Sequence, residues 1–294
     1  MVNQSGGIST THSAGINYTD LLGKKTIITT SYFFNYTDNT NNSSLLRNYF
    51  SKEGEGQHYN ENKTAGSTNM NHRFNLRLEY YIDTMNSIIF NPKFSLQDNN
   101  ANNTTNGLTY YRLDSVLSNS LIKNTSNYNG WNSNNSLLYR HRFKKFGRTI
   151  SINGTAEINR KTGLTGLNSA NNYLMFNGAD TLLTTDQSAN IINNYNNYST
   201  SVSWTEPMGT HGMWNITYNP SFNYAISDKR TYNFDTVSES HSRLDTSLSN
   251  VLDNSVITQK GGLAYRIKYD KWNLILGANY QSVALKGNSD YPVS

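Results

Sequence analysis

Apolar and polar residues alternate in short, regular runs along almost the whole chain. "HRFNLRLEYYID" (72–83) places Phe74, Leu76, Leu78, Tyr80 and Ile82 on one side, with Arg73, Asn75, Arg77, Glu79 and Tyr81 between them. A period of two is the signature of a strand, because successive side chains point to opposite faces. "IITTSYFFNY" aligns Ile28, Thr30, Tyr32, Phe34 and Tyr36 in the same way. "SIIFNPKFSL" aligns Ile88, Phe90, Pro92, Phe94 and Leu96. "NSLLYRHRF", "RTISINGTAEI", "MWNITYNPSFNY", "LAYRIKY" and "WNLILGANY" continue the pattern to the end. About ten strands are predicted.

The breaks in the pattern are of two kinds. Short ones, "DLLGKK", "DTMN", "KKFG", "EPMGTHG" and "YDKW", fall near residues 22, 84, 145, 209 and 270, about every sixty residues. They read as tight turns. Between them lie Asn/Ser/Thr/Gly-rich stretches, 39–64, 99–127, 160–192 and 228–250, which read as long polar loops. The predicted repeating unit is a hairpin with a tight turn at one end and a long loop at the other, five times over. A propeller blade needs four short strands, and solenoid repeats keep near-equal lengths, so neither suits this unit.

Composition sharpens the picture. Hydrophobic residues make up 35% of 294 residues and mean hydropathy is −0.67, low for a chain that builds a conventional core. Charge does not make up the difference, at 15%. Asparagine does, being about as frequent as Asp, Glu, Lys and Arg together, and tyrosine numbers 21. There is no cysteine, which excludes disulfides and thiolate metal sites. A net charge of +5, spread over the chain, does not point to nucleic acid. "MVNQSGGIST" has neither a basic n-region nor an apolar h-region, so the expectation is a chain kept inside the cell or an internal piece of a longer protein.

Three features favour a membrane wall over a soluble sandwich. The predicted strands run to 12 or more residues, against about 5–6 in soluble sheets and about 9–11 needed to cross a bilayer. The connections are short at one end and long at the other, as in outer-membrane barrels. Aromatics gather at both strand ends: Tyr80, Tyr81, Phe143, Trp204, Trp214, Tyr269 and Trp272 by the tight turns, and Tyr36, Phe94, Tyr224 and Tyr280 away from them. The expected fold is all-β, an antiparallel up-and-down transmembrane β-barrel or part of the wall of one. Pro92 and Pro220, in the matching "FNPKFSL" and "YNPSFNY", mark an expected bulge or kink.

"GINYTDLLGKKTIITTSYFFNYTDN" (15–39) and "NSLLYRHRFKKFGRTISINGTAEIN" (136–159) resemble hairpins of the outer-membrane barrel family related to TonB-dependent receptors. The likeness extends over essentially all of the chain and is compositional. It implies a bacterial outer-membrane location and uptake of a nutrient, with outer-membrane lipid around the wall. It also implies, in a parent protein, a plug domain and an inner-membrane energy-transducing complex. Because the family barrel is about twice this size, the resemblance makes the chain a barrel fragment. A small porin or adhesin working through its outer loops is the alternative.

Under that reading the lumen face carries Arg73, Arg77, Glu79, Lys93, Arg140, Arg142, Glu157, Arg266 and Lys268, a mildly basic set suited to an anionic solute or a plug. The same residues equally serve as plain lumen polarity, pairing across strands. Tyr49, Tyr59, Tyr110, Tyr111, Tyr173 and Tyr195 are assigned to the long loops, where rings and neighbouring amides could contact sugars or peptides. The six histidines lack the flanking pattern of a catalytic triad, no metal spacing occurs, and no cofactor or enzymatic activity is expected.

Overall fold

A computed structural model describes residues 7–50, 56–111, 115–174 and 180–291. The chain is all-β. In order the strands are β1 (Ile8–Leu22), β2 (Thr26–Asn48), β3 (Gln57–Tyr81), β4 (Asn86–Tyr111), β5 (Ser115–Arg142), β6 (Thr149–Tyr173), β7 (Thr181–Met208), β8 (Gly212–Tyr218), β9 (Ser221–Asp235), β10 (Ser240–Tyr269) and β11 (Trp272–Tyr291). All lie in one antiparallel up-and-down sheet, and apart from β8 and β9 each strand pairs with its neighbours in sequence. β8 and β9 share one position, both lying between β7 and β10. The eleven segments therefore fill ten positions. Among the described residues β1 pairs only with β2 and β11 only with β10, so the sheet has two open edges.

The split between β8 and β9 falls at Asn219–Pro220. Proline has no N–H to give to the ladder. The chain bridges the gap with the Thr200 amide donating to the Pro220 carbonyl (3.0 Å) and the Asn219 amide to the Lys260 carbonyl (2.7 Å). Pro92 acts more mildly. β4 stays continuous, but the β3–β4 register lapses between Asn75↔Lys93 and Leu78↔Phe90.

The tight turns lie at 23–25, 82–85, 143–148, 209–211 and 270–271. Gly23 (φ 70°) and Gly147 (φ 82°) take left-handed conformations that other residues resist. In the 82–85 turn the Asp83 carboxylate accepts from the Asn86 side chain and from the amides of Met85 and Asn86. These donors hold its carboxyl below the usual range, the Asn86 side chain most strongly.

The far ends correct the sequence reading. Most of 39–64, 99–127, 160–192 and 228–250, expected as loops, is paired strand. The hairpins continue in register until only 49–56, 112–114, 174–180 and 236–239 lie between strands. Asparagine is depleted in ordinary strands, so its abundance reads as loop. In a long hairpin the backbone ladder continues regardless of side chain, and the amides add cross-strand bonds of their own. Asn124 Nδ2 donates to Asn103 (3.1 Å), Gln97 Nε2 to Asn69 (3.0 Å) and Gln187 Nε2 to Asn233 (2.8 Å).

The strands lean relative to the line of tight turns. Thr26 is the first residue of β2, and its cross-strand row passes Tyr80, Ile88, Tyr139, Ile152, Val202, Tyr218 and Gly261 to Tyr280, the ninth residue of β11. The row climbs eight residues over eight inter-strand steps. At about 3.4 Å per residue and about 4.8 Å between strands, the lean is about 35°. That lies at the low end of the 35–45° tilt of barrel strands.

Candidate functional site

Register assigns every strand residue to one of two faces. One row of the first face runs Phe90, Leu137 and Gly154, another Tyr32 and Phe74, another Trp204, Ile216 and Leu263. On this face apolar and aromatic residues predominate over a band that runs from Met70 to Tyr80 on β3 and from Trp131 to His141 on β5, interrupted by His72, Ser133 and Asn135 and edged by Arg160 beside Trp131. Ten residues at this lean span roughly 28 Å.

Exposure is inverted relative to a water-soluble sheet. Along β5, from Asn119 to Trp131, exposed residues of the first face alternate with half-buried residues of the second; Leu137 is again exposed, while at the turn end Arg140 and Arg142 of the second face are the exposed ones. Leu137 is 51% exposed, Phe74 46% and Ile216 48%. Side chains splay on a convex face and crowd on a concave one, so the apolar face is the convex one. Among the described residues the buried apolar side chains are Ile89 and Ala189, both on the polar, concave face.

Aromatic rings edge the apolar band. On the turn side Phe143 lies 5.1 Å from Trp204, Trp214 4.6 Å from Tyr265, and Tyr269 stacks on His211 at 4.2 Å. Tyr80 and Trp272 join this edge, and Tyr36, Phe94, Tyr224 and Tyr280 occupy the same face farther from the turns. Tyr81, expected in this band, sits instead on the polar face and donates to Glu79 (3.2 Å). Polar atoms within the band find partners in the chain. Tyr32 Oη meets His72 Nδ1 at 2.7 Å, Tyr218 donates to Gln259, and Trp214 Nε1 reaches Met208 Sδ at 3.0 Å.

The concave face collects Arg73, Arg77, Glu79, Lys93, Arg140, Arg142, Glu157, Arg266 and Lys268, all nine on one side of the sheet. Arg77 Nε donates to Glu79 at 2.7 Å, and Arg266 Nε to Asn273 at 2.9 Å. Lys93 and Glu157 share a row two strands apart, with Asn134 between them. Arg142 Nη2 turns to the Thr84 carbonyl (3.0 Å). The set is therefore partly self-paired; Arg140 and Lys268 lie toward the tight turns, whereas Arg73 and Lys93 lie well inside β3 and β4.

The six tyrosines scatter. Tyr49 follows β2 and is 51% exposed. Tyr59, Tyr110, Tyr111 and Tyr173 belong to strands near the far ends, not to loops. Tyr59 donates to Glu61 (2.7 Å), and Tyr110 stacks on His58 at 5.2 Å. Tyr195 lies midway along β7 on the concave face, its hydroxyl accepting from Asn223 (2.9 Å). Its row runs through Asn159, Asn132 and Ser95.

Two clusters have no sequence signal, because their members are far apart in the chain. His241 Nε2 contacts Asp186 Oδ1 at 2.8 Å near the far end. At the turn end Glu206 accepts from Arg148 and Lys145. Those two partners, the Arg148 guanidinium first, lower its carboxyl to about 2. Among the described residues no group of His, Asp and Glu is arranged to hold a metal ion.

The class is thus an all-β, up-and-down antiparallel sheet with an apolar convex face and a polar concave one. In comparison with known proteins, no family model, curated protein or solved structure matches the chain.

Proposed function

We propose that the chain forms wall of an outer-membrane barrel of the TonB-dependent-receptor type, with its convex face in lipid and its concave face lining a path for a nutrient. The observation that carries this reading is the inverted exposure. Large apolar side chains such as Leu137 and Ile216 lie on the more open face, and among the described residues the buried apolar side chains are Ile89 and Ala189 alone. A sheet in water gains its stability by covering apolar area, about 25 cal/mol per Å². Here the surrounding medium must supply that cover. The 35° lean, the band of roughly 28 Å and the two aromatic edges fit a bilayer, whose hydrocarbon core is about 30 Å thick. The ladder satisfies backbone groups internally, as spanning strands in lipid require. The concave face, mildly basic toward the turns and amide-rich beyond them, supports passage or docking of a polar solute. A plug and an inner-membrane energy-transducing complex belong to this reading as partners.

The test is refolding of the full chain into phosphatidylcholine vesicles and detergent micelles. The expected results are a β-sheet circular dichroism spectrum, a heat-modifiable band on gels, and, in a chain whose four native tryptophans are replaced by phenylalanine, quenching by bromine-labelled acyl chains of Leu137→Trp but not of Ser136→Trp. Folding in plain buffer to a monomer that ignores lipid would overturn it.

A further inference from the structure

The concave face holds a cavity of about 410 Å³ over β4, β5 and β6, away from the basic turn end. Its walls are Gln97, Asn99, Tyr128, Asn132, Asn159 and Lys161, and Gly130 forms the floor. The hollow follows from two glycines. Gly130 stands between Gln97 and Lys161 in its row, leaving a gap where a side chain would be. Gly163 stands opposite Tyr128, and a Cβ there would run into the ring, so the ring folds down over the glycine. Lys161 Nζ sits 4.2 Å from the centroid of that ring.

The chemistry of the walls narrows the ligand. No carboxylate lines the cavity, and both of its cations are engaged within the chain: Lys161 is turned onto the Tyr128 ring, and the Arg160 guanidinium is held on the opposite face by Asn196 and over Trp131. Asn99, Asn132 and Asn159 make no side-chain hydrogen bond within the described residues, whereas neighbouring amides such as Asn124 and Asn103 are tied to each other. Each free amide offers both donors and an acceptor. A peptide held by strand addition needs an open sheet edge, and β4, β5 and β6 are paired on both sides. What remains is recognition by side chains that give and accept hydrogen bonds beside an aromatic surface, without charge.

We infer that this cavity is a binding site for a neutral saccharide, of about disaccharide size. Asn132 and Asn159 bond its hydroxyls, the edge of the Tyr128 ring, capped by Lys161, closes one side, and Tyr195 stands next in the row after Asn159. The inference rests on the proposed wall, since it requires the concave face to be open to water.

The experiment is calorimetric titration of the refolded full chain in detergent with maltose, cellobiose and lactose, and with glucuronic acid and a neutral dialanine amide as contrasts. Saturable binding of at least one disaccharide is expected, with no binding of the contrasts. Because Asn132 and Asn159 bond nothing else in the chain, Asn132→Ala/Asn159→Ala should fold normally and bind about tenfold more weakly. Asn171→Ala, on the same face nearer the far end, should bind like the parent. A heat-modifiable, folded chain that binds none of the three disaccharides overturns the inference and leaves the wall standing. So does undiminished binding by the double variant, or tighter binding of the acid. A chain that fails to fold in detergent overturns the wall itself.

Discussion

Arg148 and Glu206 meet side-on at the turn end of β6 and β7, with Nε–Oε2 and Nη2–Oε1 both at 2.7 Å. Lys145 adds a third contact to the same carboxylate at 2.7 Å, so one acid ties down the 143–148 turn. The folded carboxyl is lowered from 4.5 to about 2. A lowered acid contributes stability that is present above its unfolded value and is lost as pH falls toward the folded one. Protection of this turn against amide exchange should hold at neutral pH and fade between about pH 4.5 and 2. In Glu206→Gln the protection should be lower throughout and nearly flat over that range. A parent turn insensitive to this acidification would contradict the assignment.

Leu137 and Ser136 are neighbours on opposite faces of β5. In the proposed lipid-embedded wall, Leu137→Arg places a charge on the convex face within the apolar band. It should cost about 2–4 kcal/mol of folding free energy in vesicles. Leu76→Arg on β3 should behave alike. Ser136→Arg, on the concave face, should cost under about 1 kcal/mol. Urea titrations of the three variants in vesicles check this, and equal costs on both faces would count against the lipid assignment.

Gly163 and Tyr128 occupy opposed positions on β6 and β5. Gly163→Ala puts a methyl group where the ring lies and should cost about 1–3 kcal/mol through overpacking. With Tyr128→Ala already present, the same change should be close to neutral. A double-mutant cycle showing no coupling would mean that the ring does not rest on the glycine.

Ser249 is 2% exposed at the register shift of β10 between Asp245 and Asn250. Its hydroxyl accepts from the Thr231 amide (3.0 Å) and donates to the Asp245 carbonyl (2.6 Å). Asp245 Oδ1 in turn accepts from the Ser247 and Leu248 amides. Ser249→Ala leaves the Thr231 amide without this acceptor in a buried place and should cost about 1–3 kcal/mol. Faster hydrogen exchange at Thr231, with the tight-turn end unaffected, is the expected readout.

Much of the sheet was legible in the alternation. The period of two in 72–83 names which residues of β3 share a face, and the cross-strand register places Arg73, Arg77 and Glu79 together with Lys93, Arg140 and Glu157. The apolar band and most of its aromatic edge could be read because they depend on residue type and parity alone. The far hairpins were misread for a physical reason. Asparagine and threonine look like loop residues one at a time, but a partner strand in register turns the same residues into ladder rungs. Tyr195 therefore moves from a supposed loop to the middle of β7.

Parity and composition by themselves determined that this chain is a sheet with one apolar and one polar side, turning back at five tight turns. Those are local properties, written in each strand separately. Only the tertiary arrangement decided the rest. Which side is convex, how far each strand is staggered against the next, and which distant residues share a row all depend on register between strands. The Arg148–Glu206 pair, some 58 residues apart, and the cavity between Gln97, Tyr128 and Asn159 exist because a stagger of about one residue per strand brings those positions to the same height.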